Sequence, residues 1–579
     1  MISSRRVFFA SVVVLASIGV ERVNADSVYS ANFKKFVDEY YQALFAWDPT
    51  QATYAGIHEF DDRLSDFSAA NFARRAAALK QLREKLTALR ATKLSDAEAI
   101  DADVLEHAID AELLEIETVR GWKQNPMLYL GKPAEAIDLL MKRTFARPAD
   151  RLHSVIGRLK ASLPLFEALR ANVDNPPREF TDLGIIVAKG SVGFFKNDLS
   201  AWAKYAAGDD AGLFAEFEAA DKPVVEAFER AAEWLEKDLL PRSKGHYAIG
   251  ADAFLRKLQT EEMLDIPLKE LLAIGEANLK KDQDAFVATA AKIDAKLTPQ
   301  KVLAQLTEDF PQPQDLVAAT RGTIERTRQF LVDKKIITLP SEVRPTVTET
   351  PPFMRTGGFA SMDTPGAYET KATEAFYYVT PPDKDLENTR KIEHMKQFNK
   401  TTMDIITIHE AFPGHYVQFL YSKQYPTKVR KLYTCGTNVE GWAHYTEQMC
   451  VDQGYGNGDP KVRLGQLHEA LLRDCRYVVG IKLHTEGWTV EQGRQFFMKE
   501  GFIEGETAFQ ESRRGTYNPT YLYYTLGKLQ ILKLREDVRK ARGTQFDLEK
   551  FHNDFVRQGG LPIKMIRRIM LPGDNGPTL

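Results

Sequence analysis

The sequence predicts a mainly α-helical protein: a large multi-helical body interrupted once by a small β insert. Three observations lead there. Apolar residues recur at i, i+3, i+4 and i+7 through most of the chain. Alanine, leucine and charged helix formers fill the positions between them. Proline and glycine, by contrast, crowd into one stretch near residue 350. A chain of 579 residues, 44% hydrophobic and 27% charged, has a globular composition and is too long for one small core.

Taken in order, residues 1–25 read as a signal peptide. Arg5 and Arg6 precede the uncharged apolar run Val7–Val20, and Val23-Asn24-Ala25 offers small residues for cleavage after Ala25. The run is shorter than the roughly 20 apolar residues that span a bilayer. No later stretch is apolar enough to cross one, so the expectation is an exported protein, periplasmic or secreted, without stable membrane insertion. Residues 26–337 form a helical N-terminal region. Phe33, Phe36, Val37, Tyr40, Tyr41, Leu44 and Phe45 lie on one helix face, and 68–91, 96–120, 148–173, 211–238, 267–293 and 313–333 follow the same rule. Breaks fall at Asn175-Pro176-Pro177 and Leu240-Pro241.

Residues 338–385 are the insert. Pro340, Pro345, Pro351, Pro352, Pro365, Pro381 and Pro382 exclude long helices there, while Val343–Thr350 and Phe376–Thr380 have strand composition. From 386 to 579 the helical pattern returns. The charge balance, 77 Lys+Arg against 80 Asp+Glu, gives a net charge of −3 and no basic surface for nucleic acid. Three cysteines cannot form a disulfide scaffold. In an oxidising compartment Cys435 and Cys450 can pair, or all three can stay reduced and buried.

The chemistry concentrates in the last region. Of 11 histidines, His409, His415, His444, His468 and His484 fall close together, and clustered histidine near carboxylate is the composition of a transition-metal site. His409-Glu410-Ala411-Phe412-Pro413-Gly414-His415 spaces its histidines at i and i+6. The zinc-peptidase motif HExxH uses i and i+4, one helical turn. On an unbroken helix the longer spacing turns the second ring about 120° away from the first. Pro413 and Gly414 are residues that break or bulge a helix, and a bulge taking up two residues returns His415 to the metal side. In Glu440-Gly441-Trp442-Ala443-His444-Tyr445-Thr446-Glu447, the two glutamates and His444 share a helix face, and Glu440 is placed to be a third ligand. Glu447 suits a solvated ion pair nearly as well as a site role. His484, beside a Gly-Trp turn, suits a structural role at least as well as a catalytic one. Among Tyr517, Tyr521, Tyr523 and Tyr524, one phenol can serve a developing oxyanion.

HEAFPGHYVQ (409–418), EGWAHYTE (440–447), LHTEGWT (483–489) and YTLGKLQILKLRE (524–536) together resemble the DUF885 family of bacterial proteins, itself considered similar to gluzincin zinc peptidases. The resemblance implies a zincin-like helical catalytic region. It makes His409, His415 and Glu440 ligands of Zn2+ and Glu410 the general base; Tyr524 and His484 stand beside them as further candidate catalytic residues. Gly480 and Thr525 depart from the family's usual aspartate and lysine, and neither is a proposed ligand. Asp404 or Glu447 can orient a ligand histidine, and the strand at Tyr377-Tyr378-Val379 can take an extended peptide along its edge.

The leading expectation is thus an exported zinc metallopeptidase acting on a peptide substrate. Arg473, Arg476, Arg513, Arg514 and Lys528 are candidates for a terminal carboxylate. Two alternatives stand beside it: a zinc hydrolase of non-peptide amides or esters, and a non-catalytic exported helical protein that binds a ligand or partner. Peptides with one blocked terminus separate the first from the peptidase. Stoichiometric metal separates the second.

Overall fold

The computed structural model describes residues 28–351, 354–355, 358–574 and 576–579, so the signal-peptide segment lies outside the described residues. Helices make up 72% of the structure. Apolar periodicity placed most of the long ones to within a few residues: Ala69–Arg90, Pro148–Asn172 and Leu268–Ile293. Three run on into a π-helical turn: Asp96–Leu114 through Glu115–Val119, Arg178–Gly193 through Phe194–Leu199 and Ala211–Trp234 through Leu235–Leu239. Several first turns are capped as the sequence allows. Ser95 and Glu98 form a reciprocal capping box, and Ser68 and Asp210 accept backbone N–H groups.

The insert holds a three-stranded sheet of order β1-β3-β2, with β1 at Thr346–Glu349, β2 at Ala360–Asp363 and β3 at Phe376–Val379. β1 runs parallel to β3, with Thr346 opposite Phe376; β2 runs antiparallel, with Ala360 opposite Val379. β3 is therefore the central strand. Both its edges are taken by neighbours, so Tyr377-Tyr378-Val379 has no free ladder to offer a peptide, against the expectation from its composition. Its role is to carry Tyr377, buried, onto the helix that bears the first motif: the Tyr377 hydroxyl lies 3.3 Å from Thr407 Oγ1.

One hydrophobic core runs from Phe33 and Phe36 at the start of the chain through Val347 and Val379 of the sheet to Leu561 and Ile566 near its end. The three cysteines are free and buried. Two buried histidines belong to this framework. His552 bonds to the Ile336 carbonyl at 2.7 Å and accepts from the Tyr445 hydroxyl at 2.7 Å. His484 bonds to the Gly515 carbonyl at 2.7 Å. Burial pushes both rings down to about 4. In the unfolded chain they titrate near 6.5, so between these values the unfolded state binds protons that the folded state does not. Their contribution is complete above about pH 6.5 and drains away as the pH falls toward 4, on the order of 3 kcal/mol for each ring. Thermal unfolding followed from pH 7.5 to 4 should show this decline, and His552→Gln should make it shallower.

A candidate metal centre built on a broken helix

The first motif begins on the helix Lys400–Glu410, started by Asn399, whose side chain accepts from the N–H of Thr401 and Thr402 at 3.0 and 3.2 Å. This helix does not bulge. It ends at Glu410, and a new one starts at His415 and runs to Leu420. Pro413, which has no N–H to continue the ladder, sits between them after a cis Phe412–Pro413 peptide. Gly414 N–H then bonds back to the Ile408 carbonyl at 2.9 Å. That fold-back lays Gly414 on the end of the first helix so tightly that a Cβ there would stand 1.7 Å from the His409 carbonyl oxygen. The break, not a bulge, turns His415 back. The His409 and His415 ring centroids come within 4.9 Å at 86°.

The third member arrives on the helix Gly436–Asp452. Its Trp442, fully buried, donates from Nε1 to the Pro413 carbonyl at 2.9 Å and so fastens the turn to the helix that carries Glu440. Glu440 Oε2 lies 3.4 Å from His409 Nε2 and 3.3 Å from His415 Nε2, and the ligand atoms of the three residues all fall within 4.8 Å of one another. The N-terminus of this helix is held by Glu262, from the other half of the chain. That carboxylate accepts from Gly436 N–H, Thr437 N–H, the Thr437 hydroxyl and the Cys435 thiol.

Glu447, two turns on, is completely buried and accounts for the orientation of His409. Its Oε1 meets His409 Nδ1 at 2.6 Å, and Arg473 Nη2 stands 3.3 Å from the same oxygen. Its Oε2 meets His444 Nδ1 at 3.2 Å. Burial alone would raise this carboxyl; Arg473, His444 and His409 outweigh it and hold Glu447 well below the usual range. His444 is pushed down to about 3 by burial and by Lys528, so its neutral ring acts as a donor. With Nδ1 of His409 committed to Glu447, its Nε2 lone pair is directed at the cluster. Burial works against a charged His409, yet the neighbouring carboxylates of Glu440 and Glu447 raise it to about 9, so a metal ion at Nε2 would take the place of a proton. Asp404, the other candidate for this role, pairs instead with Arg326 at 2.7 Å.

Glu410 is buried at 8% exposure beside the cluster, and its charge helps raise the Tyr377 phenol, after burial itself. Tyr524 stacks near His409, with centroids 6.2 Å apart at 23°, and its hydroxyl accepts from Arg514 Nη2 at 2.9 Å. It is placed by a close crossing of the helices Gly436–Asp452 and Tyr523–Arg542: a Cβ on Gly527 would lie 2.0 Å from the Thr437 carbonyl. The structure thus brings His409, His415 and Glu440 together, sets Tyr524 beside His409, and leaves Glu410 buried at the end of the helix that carries His409. His484 has other company, its ring facing Tyr247 and Phe254. Trp442 and Glu262 were not legible as site residues, the first because tryptophan reads as core, the second because it is far away in sequence.

The donor set fits a zinc ion. Glu440 Oε2 is buried without a hydrogen-bond partner although two imidazole nitrogens flank it. Two histidines and a glutamate are a ligand set that leaves a fourth position open. Glu447→Gln should weaken zinc binding about 10- to 100-fold without removing a ligand, because it loses the charge that fixes His409. Competition with a chelator of known affinity would measure it.

The family of bacterial proteins of unknown function DUF885 matches residues 49–570. The chain belongs to this family. Two solved structures share the DUF885 chain's fold. One, a "putative lipoprotein of unknown function" from Shewanella oneidensis, is 27% identical with a TM-score of 0.76, covering 94% of this chain and 100% of its own. The other, described as "the putative lipoprotein from Colwellia psychrerythraea", is 19% identical with a TM-score of 0.77, covering 93% and 98%. No curated protein matches the sequence. Among the described residues no helix is long and apolar enough to cross a membrane.

Proposed function

We propose that this DUF885 protein is an exported zinc metallopeptidase acting on oligopeptides. The observation that carries the reading is the convergence of His409 Nε2, His415 Nε2 and Glu440 Oε2, with Glu410 directly following the first ligand in the chain. A zinc ion held there supplies Lewis acidity, making water nucleophilic at neutral pH and polarising a scissile carbonyl. Glu410 takes the proton from the attacking water and passes it to the leaving amine. Tyr524 offers a phenol to the oxyanion as the carbonyl becomes tetrahedral. Glu447 keeps His409 in the tautomer that leaves Nε2 free. His484 is assigned a supporting part, through the Gly515 backbone, rather than a proton-transfer step.

Two cavities are lined in part by sequence neighbours of the cluster residues, though not by His409, His415 or Glu440 themselves. One of about 700 Å³ reaches Gly436 and Tyr523; another of about 260 Å³ reaches Val439 and Phe419, whose ring lies 6.0 Å from that of His415. Pockets of this size take ligands of several residues at most. Export is supported by the N-terminal pattern and by the lipoprotein descriptions of the two structural relatives.

The test is metal content by elemental analysis of wild type and His415→Ala purified identically, followed by a peptide panel. About one zinc per chain in wild type, lost in a folded variant, together with peptide hydrolysis, is the expected result. Equal metal in both, or none in either, refutes the zinc centre. Zinc with hydrolysis of esters or non-peptide amides only would replace the peptidase with a hydrolase of another class.

A further inference from the structure

Three guanidinium groups surround the Tyr524 ring: Arg476 at 4.9 Å from its centroid, Arg514 at 5.9 Å and Arg473 at 6.0 Å. Two of them are neutralised. Arg473 pairs with Glu469 at 2.6 Å and with Glu447 at 3.3 Å. Arg476 grips Glu511 in a fork, Nε and Nη2 lying 2.6 and 2.8 Å from its two oxygens. Arg514 is different. Glu511 is near, but both its oxygens are engaged by Arg476, and among the described residues no carboxylate lies within ion-pair distance of Arg514. Its Nη2 bonds to a neutral phenol, Tyr524, and its other donors are not among the buried unpartnered atoms, so they reach solvent.

An unpaired guanidinium thus stands one tyrosine away from His409. A half-buried arginine without a counter-charge is costly to keep unless it meets an anion in use, and its planar fork matches a carboxylate. We propose that Arg514 receives a carboxylate of the substrate, the free C-terminus of a peptide, and so directs cleavage to bonds near that end. This rests on the peptidase reading above. The path from the His409 ring across Tyr524 to the guanidinium is on the order of 10 Å, which an extended chain covers in about three residues. The released piece is accordingly one to three residues long. A side-chain carboxylate of aspartate or glutamate at the same place offers the same chemistry, and the experiment separates the two sources.

The zinc-loaded protein, wild type and Arg514→Gln, is assayed on three matched pentapeptides: a free acid with neutral side chains, its C-terminal amide, and an amide with glutamate as the last residue. Binding of the same peptides to Glu410→Gln is measured by calorimetry, so that affinity is read apart from turnover. Wild type should favour the free acid over the neutral amide by about 100-fold in kcat/KM, chiefly through KM, and bind it correspondingly more tightly. Arg514→Gln should abolish that preference by raising KM for the free acid to that of the amide, and Arg514→Lys, which keeps charge but not the fork, should fall between. If acid and amide are cleaved alike, the assignment is overturned while the peptidase stands. If Arg514→Gln slows acid and amide equally in kcat, Arg514 only holds Tyr524, and the assignment is again overturned. Recovery by the glutamate amide alone would overturn the C-terminal source. If nothing is hydrolysed yet the acid binds in an Arg514-dependent way, the carboxylate pocket stands and the peptidase reading fails. Neither binding nor hydrolysis of any peptide overturns both.

Discussion

Replacing Glu410 with glutamine should lower peptide hydrolysis by about 10²- to 10⁴-fold while leaving zinc content and thermal stability near wild type. The side chain is nearly isosteric and makes no hydrogen bond that the fold depends on, so what is lost is the ability to hold and release a proton. The position is the right one for that role. It follows His409 at the last turn of its helix, is buried, and its charge is felt by Tyr377. Measurement of kcat against KM distinguishes this from a binding defect: kcat should fall and KM change little. A variant that retains full activity would remove Glu410 from the chemistry. Loss of zinc along with activity would make it part of the metal site instead.

The second large effect is expected at a residue that touches no substrate. Gly414→Ala puts a Cβ 1.7 Å from the His409 carbonyl oxygen and 2.5 Å from that of Ile408. These are backbone atoms at a helix end, the Ile408 carbonyl already accepting from Gly414 N–H, and cannot rotate aside as a side chain would. Either the turn opens, carrying His415 away from Glu440, or the helix end shifts with His409. The expected outcome is loss of zinc binding greater than the roughly 10- to 100-fold of an outer-sphere change, with a stability cost of about 3 kcal/mol or more. Gly131→Ala is the control. It lies within a helix, Met127–Lys142, and nothing stands within 4 Å of its Cβ position, so the change should be neutral or stabilising by up to about 1 kcal/mol. Chemical denaturation and metal titration of both variants check the pair.

The long helices and the insert were readable because their signals are local. A period of 3.6 or 2 in apolar residues, a capping serine or a run of prolines acts on its own neighbourhood. The His409, His415 and Glu440 cluster was readable for a different reason: histidines are few, and their clustering stands out against the background. What periodicity could not settle is how His409 and His415 meet. Pro413 and Gly414 announced an interruption, but whether the ladder bulges or stops depends on Trp442 and Ile408, which the turn reaches only in three dimensions. Glu447 was equally ambiguous in sequence, since a solvated glutamate and one buried against His409, His444 and Arg473 are spelled alike. The strand at Tyr377 misled for the same reason: its composition marks a strand but not whether its edges are taken.

Glu262 has a consequence for how this protein can be divided. It belongs to the helix Ala251–Glu262, in the half of the chain without metal ligands, yet it supplies the carboxylate on which the first turn of the Glu440 helix rests. A fragment starting at residue 338 would keep every ligand and still leave two backbone N–H groups, a hydroxyl and a thiol at that turn without their acceptor. The proposed metal centre is therefore not a portable cassette. Grafted or excised, it would arrive with its third ligand on a loosened stem, so the two halves must be inherited, expressed and engineered as one piece.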